Sequence, residues 1–139
     1  MARLREPVVM PDPVIAVREY LLGDPLVTDL VADRVTTDLP ADPAWPRVRI
    51  TGLNSYQVFP CRLDRVLMQF DCYALTSPEA QRLAQVVRAV IAASPAHVGT
   101  DAVFSGVTGV SIFELVDGSF TPPMPRWSVT AYVYLRSNP

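Results

Sequence analysis

A chain of 139 residues, half of them apolar and 19% charged, is long enough for one domain with a substantial core and too apolar to stay disordered. Its formal net charge of −2 excludes a protein that depends on electrostatic attraction to nucleic acid or to an anionic membrane. All 12 basic residues are Arg, a bias better ascribed to a GC-rich genome than to function, although Arg also suits desolvated interfaces. The mean hydropathy of +0.22 is high for a small monomer and points to an oligomer.

The opening MARLREPVVMPDP places Pro7 and Pro11 where a secretory signal needs an apolar run, so no signal peptide is expected. Asp12-Pro13 then caps a helix over about Pro13 to Leu22, which Gly23 ends, with Val14, Val17 and Leu21 on one face. Asp24-Pro25 opens a shorter helix to about Ala32, expected to bury Leu26 and Leu30. A short strand near Arg34 to Asp38 and another from Arg47 to Leu53 follow. Asn54 to Asp64 is expected to be a long loop, its QVFPCRLDR stretch running on into Arg65 at the start of the next strand. Arg65 to Leu75 alternates as a strand, Val66, Met68, Phe70, Cys72 and Ala74 on one face. Ser77-Pro78 caps the third helix, to about Ala93, with a stripe of Ala80, Leu83, Ala84, Val87, Val90 and Ile91. Its most apolar stretch, Val86 to Ala93, is broken by Arg88 and is far short of the ~20 residues that span a bilayer.

Two final strands, Val107 to Val116 and Trp127 to Arg136, flank DGSFTPPMPR, which reads as a hairpin connection with a protruding loop. Tyr132 and Tyr134 share a face with Arg136. They form either an exposed aromatic ladder at a subunit contact or one wall of the core under a helix. The order α-α-β-β-β-α-β-β predicts an α+β fold in one domain over residues 1–139. It is a mostly antiparallel four- to five-stranded sheet with two or three helices packed on one face.

Catalytic chemistry finds little support. His97, the single histidine, stands in SPAHVGTDA and could pair with Asp101 and a serine, but there is no nucleophile turn of the GxSxG kind. A solvated loop histidine is expected instead. One His and two distant cysteines cannot supply the three or four ligands of a zinc site. Cys72 reads as a buried structural thiol, Cys61 as a loop thiol, both free in a reducing compartment. Asp29 with Asp33, and Asp38 with Asp42, have polar neighbours and read as solvated faces rather than acid–base pairs. No phosphate-binding glycine motif occurs; Gly106 and Gly109 in SGVTGVS read as a bulge or strand entry.

Several segments together resemble the tail terminator (tail completion) proteins of long-tailed bacteriophages, in particular the actinobacterial-phage type. They are DPVIAVREYLLGDPLVTDLV followed by DRV, the stretch LPADPAWPRVRI, the run VLMQFDCYALTSPEAQRLAQVVRAVI, and the closing PRWSVTAYVYLR. QFDCYA, then the capped SPEAQRLA, is the most telling piece. The resemblance implies a virion structural protein without catalytic residues or cofactors. It would form a ring, typically hexameric, that caps the tail tube, stops its growth and docks to the head connector. Its partners would be further copies of itself, the major tail tube protein and the connector or stopper protein. Genomic DNA would pass through the lumen without specific contacts, and assembly would occur in the host bacterial cytoplasm, with no membrane involved. Another head-to-tail connector or neck ring is the near alternative, and a small ligand-binding or hydrolase α+β domain the distant one. Contacts are expected from the two proline-stiffened loops, Asn54 to Asp64 and Asp117 to Arg126, and from the last strand. The candidate interface residues are Phe59, Arg62, Asp64, Arg65, Phe120, Met124, Arg126, Tyr132 and Tyr134, with Phe59, Phe120 and Met124 expected to be exposed apolar groups.

Overall fold

The computed structural model describes residues 7–138, so part of the N-terminal segment read for a signal peptide lies outside the described residues. Helices α1 (Pro13–Leu22), α2 (Pro25–Val31) and α3 (Ser77–Ala92) accompany strands β1 (Val35–Thr36), β2 (Arg47–Phe59), β3 (Leu63–Tyr73), β4 (Ala102–Glu114) and β5 (Arg126–Ser137). The sheet order is β1-β2-β3-β5-β4, antiparallel except where β1 runs parallel to β2. This is the α+β arrangement that the alternating and helical periodicities predict.

The helix starts follow from capping chemistry. Asp12 accepts from the backbone N–H of Val14 and Ile15, and Asp24 from that of Leu26, with proline in the first turn of each helix. At α3 the cap is Thr76, not Ser77: the Thr76 hydroxyl accepts from Glu79 N–H at 3.3 Å. Ser77 is left free to bond sideways, donating to Glu114 (2.6 Å) and accepting from the Trp127 indole (3.1 Å).

α3 buries all six residues of its predicted stripe. α2 does not follow expectation. It buries Val27 and Val31, while Leu26 is exposed and Leu30 half-buried. Asp24 and Pro25 fix the entry angle of a helix of only 7 residues, and the Val27–Val31 ridge, one turn apart, is the one turned to the core.

All three helices contribute to one core against one face of the sheet. Ile50, Phe70 and Val129 form one cross-strand row of that core, and Met68 and Ala131 the next. Val17, Leu21, Leu83, Val87 and Ile91 close it from the helix side. Burying each of these side chains other than Ala131 stabilises the fold by roughly 1.5–3 kcal/mol.

Several strand boundaries differ from the sequence reading. β2 continues to Phe59, so Asn54 to Asp64 is not a long loop: Ser55, Tyr56 and Gln57 pair with Val66, Arg65 and Asp64. Only the tight turn Phe59-Pro60-Cys61-Arg62 is left, closed by Arg62 N–H donating to Phe59 C=O at 3.0 Å, with Cys61 in the left-handed region at φ 58°. This stretch gave no apolar alternation, because β2 loses its helical cover beyond Thr51 and is exposed on both faces. β4 begins at Ala102 because Ala102, Val103 and Phe104 pair with the end of β5, and β3 ends at Tyr73.

Candidate interaction surface

Cross-strand partners share a face, so the pairing register defines the face of the sheet opposite the helices. Four rows cross it. They are Arg49–Asp71–Ser128–Phe113, then Thr51–Gln69–Thr130–Ser111, then Leu67–Tyr132–Thr108, and Tyr56–Arg65–Tyr134–Gly106. Tyr132 and Tyr134 therefore stand on the helix-free face, as an aromatic ladder and not as a wall of the core.

Arg65 occupies the centre of that ladder. Its guanidinium lies 5.1 Å from the Tyr56 ring centroid and 5.0 Å from that of Tyr132. Its Nε is buried without a hydrogen-bond partner, and among the described residues no carboxylate forms a salt bridge with it. The rings stabilise the cation by ~0.5–2 kcal/mol.

One end of the face is held by Asp71, which is fully buried. Its Oδ2 accepts from Arg49 Nε (3.2 Å) and Nη2 (2.9 Å), and its Oδ1 from Gln69 Nε2 (2.9 Å) and Ser128 Oγ (2.6 Å). Partial burial works against the Arg49 charge, but the hydrogen bonds to Asp71 outweigh it and hold the guanidinium above its usual range. The network ties β2, β3 and β5 together.

Beside it a second cluster anchors the β4–β5 connection. The Tyr73 hydroxyl donates to Asp117 Oδ2 at 2.9 Å and accepts from Arg126 Nη1 at 3.2 Å. Burial and the bond to Asp117 push the Tyr73 phenol up to about 12. Burial would raise Asp117, yet bonds from Ser119 and Tyr73 and the nearby Arg126 lower it. Trp45 and Phe120 pack on the Tyr73 side with ring centroids 5.3 and 6.4 Å away.

The sequence-predicted contacts thus divide. Arg65, Tyr132 and Tyr134 come together on the open face, and Phe59 is exposed beside the β2–β3 turn that also carries Arg62. Asp64 is half-buried and pairs with Leu135. Phe120 and Met124 are not exposed apolar groups. Phe120 packs edge-on to Trp45, and Met124 is bound to Asp117 by two backbone hydrogen bonds of 2.9 and 3.0 Å. Arg126 is spent on Leu115 C=O, Tyr73 and Asp117, so the loop is pinned rather than protruding. The Asp71 network was missed, although an acid in an apolar strand, on the parity opposite Phe70 and Cys72, was its visible signal.

His97 is not a solvated loop histidine. It is half-buried against Tyr20 and Phe104, with ring centroids at 4.8 and 5.5 Å. The open groove beside it, about 530 Å³, contains Glu19 and Asp24, but Glu19 accepts from Thr100 N–H and Oγ1, and Asp24 caps α2. Burial, with the Asp71 charge adding to it, raises the Cys72 thiol far out of the reactive range. Among the described residues no group of three or more His, Cys, Asp or Glu could hold a metal ion, and no helix is long and apolar enough to cross a membrane.

No protein-family profile matches the chain, and no curated protein matches it in sequence. Its fold is similar to a chain in the virion of a native gene transfer agent (GTA) particle, with a TM-score of 0.63 at 14% sequence identity, over 89% of this chain and 94% of that one.

Proposed function

We propose that the chain is a structural subunit of a phage-like particle and, within it, the tail terminator. It forms a ring at the head-proximal end of the tail tube, ends tube polymerisation and offers the surface on which the head connector docks. The observation that carries this reading is the fold shared across 89% of this chain and 94% of a gene transfer agent virion chain. The narrower assignment to the terminator rests on the sequence resemblance. The open sheet face supports a binding role over a catalytic one, because its acids are engaged by Arg49, Ser128, Tyr73 and Arg126 rather than poised for proton transfer. Its partners in this reading are other copies in a ring of six, the tube protein and the connector, without enzymatic activity or cofactor.

The test is to locate the chain in particles. A labelled chain should image as density where the tail meets the head, and particles produced without it should yield overlong, headless tails. Purified particles that lack the chain altogether refute the reading. Label at the head vertex, away from the tube end, assigns it instead to another neck ring.

A further inference from the structure

We propose that neighbouring copies of this chain join sheet edge to sheet edge, the free edge of β2 in one copy pairing antiparallel with the free edge of β4 in the next. This rests on the ring reading and specifies its contact.

The sheet has two unpaired edges of similar length. β1 covers β2 only at Val48 and Arg49, leaving Thr51 to Phe59 open. On the far side the segment Ala96 to Gly99 bonds to β4 only at Ala102 and Phe104, leaving Ser105 to Glu114 open. Proteins that stay monomeric blunt such edges with charges, prolines or very short strands. None of these three is present here, and the only blunting features are the register shifts in each edge strand. TGLNSYQVF contains no charged residue and no proline, and SGVTGVSIFE contains only Glu114, at its end.

Strand direction makes the two edges complementary. Along β2-β3-β5-β4 every neighbour is antiparallel, so β2 and β4 point in opposite directions. A copy placed beside the first in the same orientation therefore presents its β2 antiparallel to the first copy's β4. The operation is a rotation about an axis along the strands, which repeats head to tail and makes a ring when the rotation divides a full turn. An isologous pair would instead join like edges and stop at two. Each edge strand also has two register shifts, the second in β4 around Gly109 at φ 62°. Such bulges add the twist and bend that closing a sheet needs.

Apolar surface is concentrated on the same edges. Leu53, Tyr56, Val58 and Phe59 on outer β2 are exposed, as are Phe113 at the end of β4 and Leu115 and Val116 just beyond it. Edge pairing covers residues that the fold of one copy cannot. The occupant is a second copy because both matching edges belong to this chain.

The experiment uses the full chain and two edge-blocked variants built at exposed positions, S55K/Q57K on β2 and S105K/T108K on β4. Masses in solution are read by native mass spectrometry. Wild type should form a closed oligomer. Each variant alone should remain monomeric with wild-type circular dichroism, and an equimolar mixture should give dimers, because each keeps one usable edge. A variant that dimerises alone, a variant that assembles like wild type, or a wild type that stays monomeric at its highest soluble concentration overturns the proposal. Amide exchange on wild type serves as a second reading. Residues 51–59 and 105–114 should exchange about tenfold or more slowly in the oligomer than after dilution, and equal rates overturn it. A neck ring built through other surfaces would keep its place in the particle while both variants assemble normally, so the two readings fail separately.

Discussion

Replacing Asp71 by Ala probes whether the open face is held by a buried electrostatic clamp. The carboxylate is inaccessible, whereas the Arg49 side chain keeps 29% of its exposure. Removing one partner of a fully buried pair costs about 3–5 kcal/mol, and the water that reaches Arg49 brings its share to the low end. Ser128, itself buried, also loses its acceptor, while half-buried Gln69 turns to water. The expected loss is about 3–4 kcal/mol for Asp71→Ala and about 2 for Asp71→Asn, which keeps one acceptor oxygen. Adding Arg49→Met to Asp71→Ala removes the stranded charge and should recover about 1–2 kcal/mol. Urea titration measures this directly, as a shift in midpoint at constant slope. A loss below about 1 kcal/mol for Asp71→Ala, or no recovery in the double variant, would mean that the network is solvated and the clamp argument is wrong.

The Tyr73 cluster predicts pH dependence at both extremes. The Tyr73 phenol is raised to about 12 in the folded state, so its contribution is complete below its unfolded value of ~10 and is lost as pH rises through about 12; Tyr73→Phe should flatten that alkaline limb. Asp117 is lowered, so its contribution is complete above ~3.9 and fades as pH falls through the folded value; Asp117→Asn should flatten the acid limb of the urea midpoint against pH. Gly109→Ala should cost about 1–2 kcal/mol in the same titration, because φ is 62° and an added Cβ would lie 3.2 Å from Tyr132 Cδ2.

Much of the fold was legible wherever side chains alternate between water and core. Phe70 and Cys72 announced one face of β3, and the 3–4 spacing from Ala80 to Ile91 announced α3, because each element meets one uniform environment along its length. The pattern gave out where that environment changes part-way. β2 leaves its helical cover after Thr51, so the second half of the strand looked like a loop. Phe120 and Met124 sit in a proline-rich stretch that looked free. Phe120 finds Trp45 and Tyr73, which come from distant parts of the chain that no local spacing relates, and Met124 pairs with Asp117 across the stretch itself. Asp71 lies within the alternating run from Arg65 to Leu75, and its parity places it opposite the core. Its acceptor role became clear only once the register set Arg49 and Ser128 on either side.

The edges present a different kind of limit. Side-chain periodicity reports which face of a strand meets the core, but an edge is a row of backbone N–H and C=O groups, common to all residues but proline. What a sequence can record about an edge is the protection placed there. Over Thr51 to Phe59 and Ser105 to Glu114 there is one charge and no proline, and the exposed Leu53, Phe59 and Phe113 lie alongside. In a chain with charges on 19% of its residues, two strand segments with one charge between them leave backbone and apolar surface for another strand to cover. Opposed strand directions on the two sides make a copy of the same chain a geometrically sufficient source of that strand.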